Sequence, residues 1–351
     1  MLNKILAVLC GSLLLFSGCQ KKEKSIKDFS YLMGKETSFW KHVQTPEDIA
    51  QVTLFEDIYQ SGLRHQSNEI GESIPKTVHF IWVGPKAFPK TSKKNVESWV
   101  NLHPGWTFKF WTDRVRPLPH PRMQQVIIQP SHFQSLEKHF EESNNYAEKS
   151  DILRYEILKQ EGGLYVDHDV VCYQSFDKIF DKHQFFCAVE PPHKPIATTS
   201  ISVCNNIIGT IPNHPILEKC IKKVENRWSV ISKMYPGNDQ ESIIYRVFNR
   251  TFCPFDESVS ELASKTTYRD MVFPAGYFNR MDGTLAIFAN HEYSGTWYKT
   301  EDPYETLVRR RLMKMSKKMN KILLVCGASV AMNIMMSIGV IFALRKRRHA
   351  S

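Results

Sequence analysis

Residues 146–171 read YAEKSDILRYEILKQEGGLYVDHDVV, and the order of features in this stretch decides the fold. Apolar side chains at Ile152, Leu153, Tyr155, Ile157 and Leu158 recur at helical spacing between charges, which predicts an amphipathic helix over 146–160. Asp151 and Arg154 are three apart and share a face of that helix. Gly162 and Gly163 end it, since glycine takes the left-handed conformation without steric cost. Leu164, Tyr165 and Val166 then read as a short buried strand that delivers Asp167 and Asp169 at its carboxyl end. Ligands of open α/β sheets bind at that end of the strands. Two carboxylates one residue apart repel each other there unless a positive charge lies between them, and a hard divalent cation meets that need.

Upstream, IPKTVHFIWVG at 74–84 is a strand closed by Gly84 and Pro85. A helix over 93–102, HPGW at 103–106 and a strand over 107–111 ending in Thr112 and Asp113 follow. Strand, helix and strand in that order make a parallel pair. His79 reads as a core histidine. Downstream, 185–190 is a short strand, 200–208 is apolar with Asn205 and Asn206 embedded, and a helix opens after PNHP at 212–215. Asp239 is the one acidic residue of the loop YPGNDQ at 235–240. It is either a carboxylate on the acceptor side of a site or the N-cap of the next helix, and the cap is the simpler reading.

SDILRY at 150–155 followed by GGLYVDHD at 162–169 resembles the sugar-binding Asp-x-Asp region of glycosyltransferases, in particular α-mannosyl- and α-galactosyltransferases and the glucosylating bacterial toxins. IPK with His79 and Trp82, the Trp-Thr-Asp ending at 111–113, and ANHEYSGTW at 289–297 resemble the same family in the same order; in the last, Thr296 stands where the family has serine. The resemblance implies an α/β fold, the GT-A nucleotide-sugar-binding sandwich with a mostly parallel sheet, over 74–299. It implies that Asp167 and Asp169, with His291, hold Mn²⁺ or Mg²⁺ against a UDP- or GDP-sugar. It implies further that Asp151 and Arg154 bind donor-sugar hydroxyls and phosphate, that Tyr165 packs on ribose or base, that Trp82 stacks the base, and that Trp297 closes over the diphosphate. The reaction expected is transfer of a hexose, with retention, to a glycan, lipid or protein. Two other readings stay open: a haloacid-dehalogenase-like phosphatase with Asp167 as nucleophile, and a membrane-anchored protein that binds a sugar nucleotide without turnover. The phosphatase also needs a downstream acidic pair, and Met281-Asp282-Gly283 fails to supply it.

The ends of the chain carry no such chemistry. The 351 residues have a net charge of +10, but residues 309–348 alone hold eleven Lys or Arg and no acidic residue. The excess therefore flanks one segment and argues against a nucleic-acid-binding face. Between its two basic clusters, 322–344 is 23 residues without a charge, long enough to span a bilayer. Residues 1–19 read as a signal, with FSGC at 16–19 making Cys19 a candidate lipidated residue. The expected organisation is thus a signal or anchor at 1–19, a linker with helical segments at 20–73, the catalytic domain at 74–299, a basic segment at 300–321, a membrane helix at 322–344 and a basic tail at 345–351. A membrane-anchored protein follows, its compartment left open between bacterial envelope and a host or organelle membrane. In the linker region Trp40, Ile49, Val52, Leu54, Phe55 and Ile58 are expected to dock on the core. Cys172, Cys187, Cys204, Cys220 and Cys253 are odd in number and lack metal-type spacing, so no disulfide framework is expected.

Overall fold

The computed structural model describes residues 28–64, 72–195, 199–263, 269–282 and 286–295. The expectations on 1–19, on the 322–344 span and on Trp297 lie outside these residues. No helix among the described residues is long and apolar enough to cross a membrane.

The helix predicted from the opening stretch is Tyr146–Glu161. Asn145 starts it, its side-chain oxygen accepting from the Ala147 and Glu148 amides at 3.0 and 3.1 Å. Gly162 and Gly163 stop it at φ of +63° and +94°. The amphipathic expectation needs correction: Asp151 to Leu158 are buried without a break. The charges on the supposed outer face have tertiary partners instead. Glu156 accepts from the amides of Gln134, Ser135 and Leu136 at 2.6–3.0 Å, and Glu148 meets Arg250 at 3.2 Å.

In chain order the strands are β1 Thr77–Trp82, β2 Thr107–Thr112, β3 Met123–Ile127, β4 Gly163–Val166, β5 Val170–Cys172, β6 Phe185–Val189, β7 Val203–Thr210, β8 Asp270–Phe273 and β9 Ala289–His291. Seven of them form one sheet in the order β3-β2-β1-β4-β7-β6-β8. Its pairs are parallel except where β7 meets β4 and β6. The fold is therefore α/β with a mostly parallel sheet. β4, β6, β7 and β8 are buried along their whole length, as expected for strands covered on both faces. Because β7 alone is reversed, β1, β2, β4 and β6 all end at one edge, and the residues leaving that edge are Gly84, Asp113, Asp167 and Glu190.

Helices cover the sheet with stripes at helical spacing: Ser92, Asn95, Val96, Trp99 and Val100 on Lys90–Leu102, and Leu217, Cys220, Ile221, Val224 and Trp228 on Pro215–Met234. The helix Pro46–Arg64 buries Val52, Phe55 and Ile58, while Trp40 and Leu54 pack partly buried against the core. Ile49 is the exception: it is 52% exposed, in the first turn of the helix. All five cysteines named above are buried and free.

The turn at Gly163 leaves no room for a side chain. A Cβ there would lie 2.6 Å from the Thr77 carbonyl oxygen and 2.8 Å from His79 Nε2, at a backbone angle that L side chains avoid. Gly163→Ala is expected to cost at least about 2 kcal/mol of stability; equal urea midpoints for variant and wild type would show that the turn relaxes freely.

Candidate active site

The strand end that carries the two aspartates is organised by Arg154. One turn of helix separates it from Asp151, and β4 returns alongside the helix, so that Tyr165 and Asp167 come back to the same guanidinium. Arg154 Nη2 lies 2.8 Å from Asp151 Oδ1 and 3.2 Å from Asp167 Oδ1, and Nη1 donates to the Asn205 carbonyl at 2.6 Å. Its guanidinium stands 4.1 Å from the centre of the Tyr165 ring. Tyr165 Oη donates to Asp167 Oδ1 at 2.6 Å. Asp151 accepts from Thr251 Oγ1 at 2.6 Å and from Asn205 Nδ2 at 3.1 Å. Burial works against the charge of Arg154, but Asp167, Tyr165 and Asp151 outweigh it and hold its pKa above the ordinary range. Asp151 and Arg154 are 8% and 4% exposed and paired with each other, so they form the frame of the site rather than an open lining. Tyr165 likewise gives its ring to Arg154 and is 2% exposed; an open face for ribose or base is not what the structure assigns to it.

Asp169 is reached from the far end of the chain. β5 pairs antiparallel with β9, Val170 opposite His291, and the Trp99 indole fixes β5 by donating to the Val170 carbonyl at 2.9 Å. His291 Nε2 thereby lies 3.3 Å from Asp169 Oδ1, and the Ser294 amide donates to Asp169 Oδ2 at 2.8 Å. The Glu292 amide donates to the Asp169 carbonyl at 2.9 Å. Burial would raise the Asp169 pKa, yet hydrogen bonding and charge from His291 hold it well below the carboxylate range. Burial would lower that of His291, and Asp169 raises it instead. The His291 ring packs on Tyr293 with centroids 4.0 Å apart, and its buried Nδ1 has no hydrogen-bond partner among the described residues.

One ligand atom each from Asp167, Asp169 and His291 lie within 4.8 Å of one another. Two carboxylates and an imidazole at that spacing, with a buried ring nitrogen left over, fit a divalent cation that takes mixed oxygen and nitrogen ligands, as Mn²⁺ does. A neighbouring shell holds the intervening loop. His168 Nδ1 lies 2.8 Å from Ser92 Oγ, and Asn95 Nδ2 donates both to the His168 carbonyl and to Glu292 at 3.3 and 3.1 Å.

Trp82, at the end of β1, is half-buried beside this loop. Its ring meets His168 edge-on at 4.9 Å, and its Nε1 donates to the Lys86 carbonyl at 2.8 Å. Next to it the Gly84 amide donates to Asp113, which Arg114 and Arg116 also hold. His79 is a satisfied core histidine: Trp111 Nε1 donates to its Nδ1 at 3.1 Å, and its Nε2 pairs with the Gly162 carbonyl at 2.9 Å. Asp239 caps the helix Gln240–Val247, accepting from the Ser242 amide and hydroxyl at 2.9 and 2.6 Å. That cap accounts for its carboxylate, and it is not part of the cluster around Arg154 and His291. The sequence reading passes over Thr251, Ser294, Asn95 and the framing role of Asn205. Thr251 and Asn95 lie in no motif, Ser294 stands in the ANHEYSGTW string without a role assigned to it, and only the embedding of Asn205 and Asn206 in an apolar run hints at a partner.

Removing the guanidinium leaves the buried Asp151 and the half-buried Asp167 without their counter-charge. Arg154→Met is expected to lower stability by about 3–5 kcal/mol, with Asp151→Asn in the same chain recovering part of the loss. Urea unfolding of the two variants checks this, and a loss under about 1 kcal/mol would mean that water reaches the cluster.

The family model described as "Glycosyltransferase sugar-binding region containing DXD motif" matches residues 89–186. Among similar proteins, the "Uncharacterized glycosyltransferase L373" of Acanthamoeba polyphaga mimivirus is 29% identical over 153 residues, 43% of this chain and 55% of that protein. "Mannosyl phosphorylinositol ceramide synthase CSH1" of Saccharomyces cerevisiae is 27% identical over 153 residues, 44% of this chain and 36% of that one. The solved "PaToxG Glycosyltransferase" aligns at a TM-score of 0.40 with 19% identity, covering 61% of this chain and 78% of that one. The chain spans about half or less of the length of these two sequence relatives. The matched region is the one that contains the Arg154 frame and both aspartates, so the similarity to the glycosyltransferase sugar-binding region falls on the same residues that build this site.

Proposed function

We propose that the protein is a metal-dependent glycosyltransferase that moves a hexose from a UDP- or GDP-sugar to a glycan, lipid or protein acceptor. The observation that carries this reading is the convergence of Asp167, Asp169 and His291 at the carboxyl edge of the sheet, beside a buried arginine. A bound Mn²⁺ or Mg²⁺ would supply positive charge to the diphosphate as it departs. The chain's own residues do the rest. Arg154, Tyr165 and the Asn206 carbonyl hold Asp167 in one orientation, and His291 with the Ser294 amide holds Asp169 in another. Trp82, half-buried at the end of β1, serves as the platform for the base. Trp297 over the diphosphate, retention at the anomeric carbon and membrane anchoring through 322–344 complete the proposal. The yeast relative's name specifies mannosyl transfer to a phosphorylinositol ceramide, which makes a lipid-linked acceptor the first to try.

The phosphatase reading fares less well. Its nucleophile would be Asp167, but Asp167 Oδ1 is already held by the Tyr165 hydroxyl and by Arg154. Nucleotide sugars incubated with the protein and Mn²⁺ are expected to release free hexose, and chelation should stop the release. Asp169→Asn should cut the rate at least about 100-fold and weaken Mn²⁺ binding measured by calorimetry, with the fold intact. Unchanged hydrolysis in that variant would defeat the proposal, and tight donor binding without any turnover would favour the binding-protein alternative.

A further inference from the structure

A second group of ionisable side chains sits on the other flank of the centre and has no part in the frame described above. β4 and β6 lie on either side of β7 and run the same way, so Glu190 leaves the same edge as Asp167, two strand spacings or about 10 Å across the sheet. The Glu190 amide donates to the Ser202 carbonyl at 2.8 Å, which fixes its backbone. Its carboxylate Oε2 lies 3.2 Å from His193 Nε2, and His193 Nδ1 is in turn 2.9 Å from the Lys194 carbonyl. The carboxylate is 17% exposed, neither sealed in nor solvated. It is also close enough to His291 and Tyr293 to act on both electrostatically. Beyond His193 a small cavity opens between Ser202, Asp256 and the rings of Phe248 and Phe252, which stack at 4.3 Å on a π-helical turn. Such turns recur at functional sites.

We propose that Glu190 is the acceptor-side carboxylate of the transfer and that His193 is the residue that positions it. The proposal rests on the glycosyltransferase reading. The incoming hydroxyl donates a hydrogen bond to Glu190. Its oxygen forms the new bond to the anomeric carbon, the bond from that carbon to the diphosphate oxygen breaks, and the electron pair leaves with the nucleoside diphosphate. The hydroxyl proton moves to the Glu190 carboxylate, which later releases it to solvent; with water as acceptor the products are hexose and nucleoside diphosphate. Either stereochemical course requires the hydroxyl to lose this proton.

The test uses the full chain with Mn²⁺ and a panel of UDP-glucose, UDP-galactose, UDP-N-acetylglucosamine and GDP-mannose. Glu190→Gln is expected to lower kcat for donor hydrolysis about 100-fold, with donor KM and the affinity for UDP plus Mn²⁺ unchanged. Added formate should restore part of the rate to Glu190→Ala, a rescue that a purely structural role would not produce. His193→Asn should lower kcat less, about tenfold, and formate should not rescue it. Full activity in Glu190→Gln, or a loss of UDP–Mn²⁺ binding together with kcat, overturns the assignment and leaves the glycosyltransferase reading standing. A wild-type protein that hydrolyses none of the four donors overturns both.

Discussion

The site depends on one buried guanidinium. Arg154 is a charge taken almost wholly out of water, which costs several kcal/mol unless partners of matching geometry replace the solvent. Here two carboxylates, a carbonyl oxygen and an aromatic face do so. The arrangement works in both directions. The acids keep Arg154 protonated, and Arg154 allows Asp151 on the helix and Asp167 at the strand end to lie close together without repelling each other apart. Arginine suits the position because its planar fork can engage several acceptors at once while its face stacks on Tyr165, which a lysine ammonium cannot do.

Around this charge the two halves of the centre are held by different means. Asp167 is fixed locally, by the helix before it and the strand that carries it. Asp169 is fixed remotely, by His291, Glu292 and Ser294 arriving on β9 and the turn beyond it. The pairing of β5 with β9 is three residues long on each strand, and its function is to set a histidine beside an aspartate more than a hundred residues away. Asp169 and His291 each favour the charged form of the other, which is why their pKa values are shifted in opposite directions.

The acidic residues along this edge divide by environment. Asp113 is tied to Arg114 and Arg116, and although burial opposes its charge these cations bring its pKa down to about 2. Glu190 has a histidine for a partner and keeps an opening to solvent. Asp256, with one backbone amide donating at 2.7 Å and no cation in contact among the described residues, is pushed up to about 7 by burial. One edge thus offers carboxylates of very different basicity, each set by its own partners and burial.

What can be read without the structure is whatever depends on neighbours in sequence. The helix, the paired glycines and the buried strand of 146–166 follow from periodicity and backbone freedom, and with them the delivery of two aspartates to a strand end. The His79 strand and the Asp239 cap belong to the same class. The short strands β3, β5, β8 and β9 do not, since three to five residues at an edge carry too little pattern to tell from loop. Nor does the burial of Asp151, Arg154 and Glu156: along the chain they look like a solvated helix face, and only partners from distant segments show that they are interior. The sequence by itself determined which residue types reach the edge of the sheet. Only the tertiary structure decided which of them meet, because a buried charge is stable solely where groups far apart in the chain are brought close enough to replace its water.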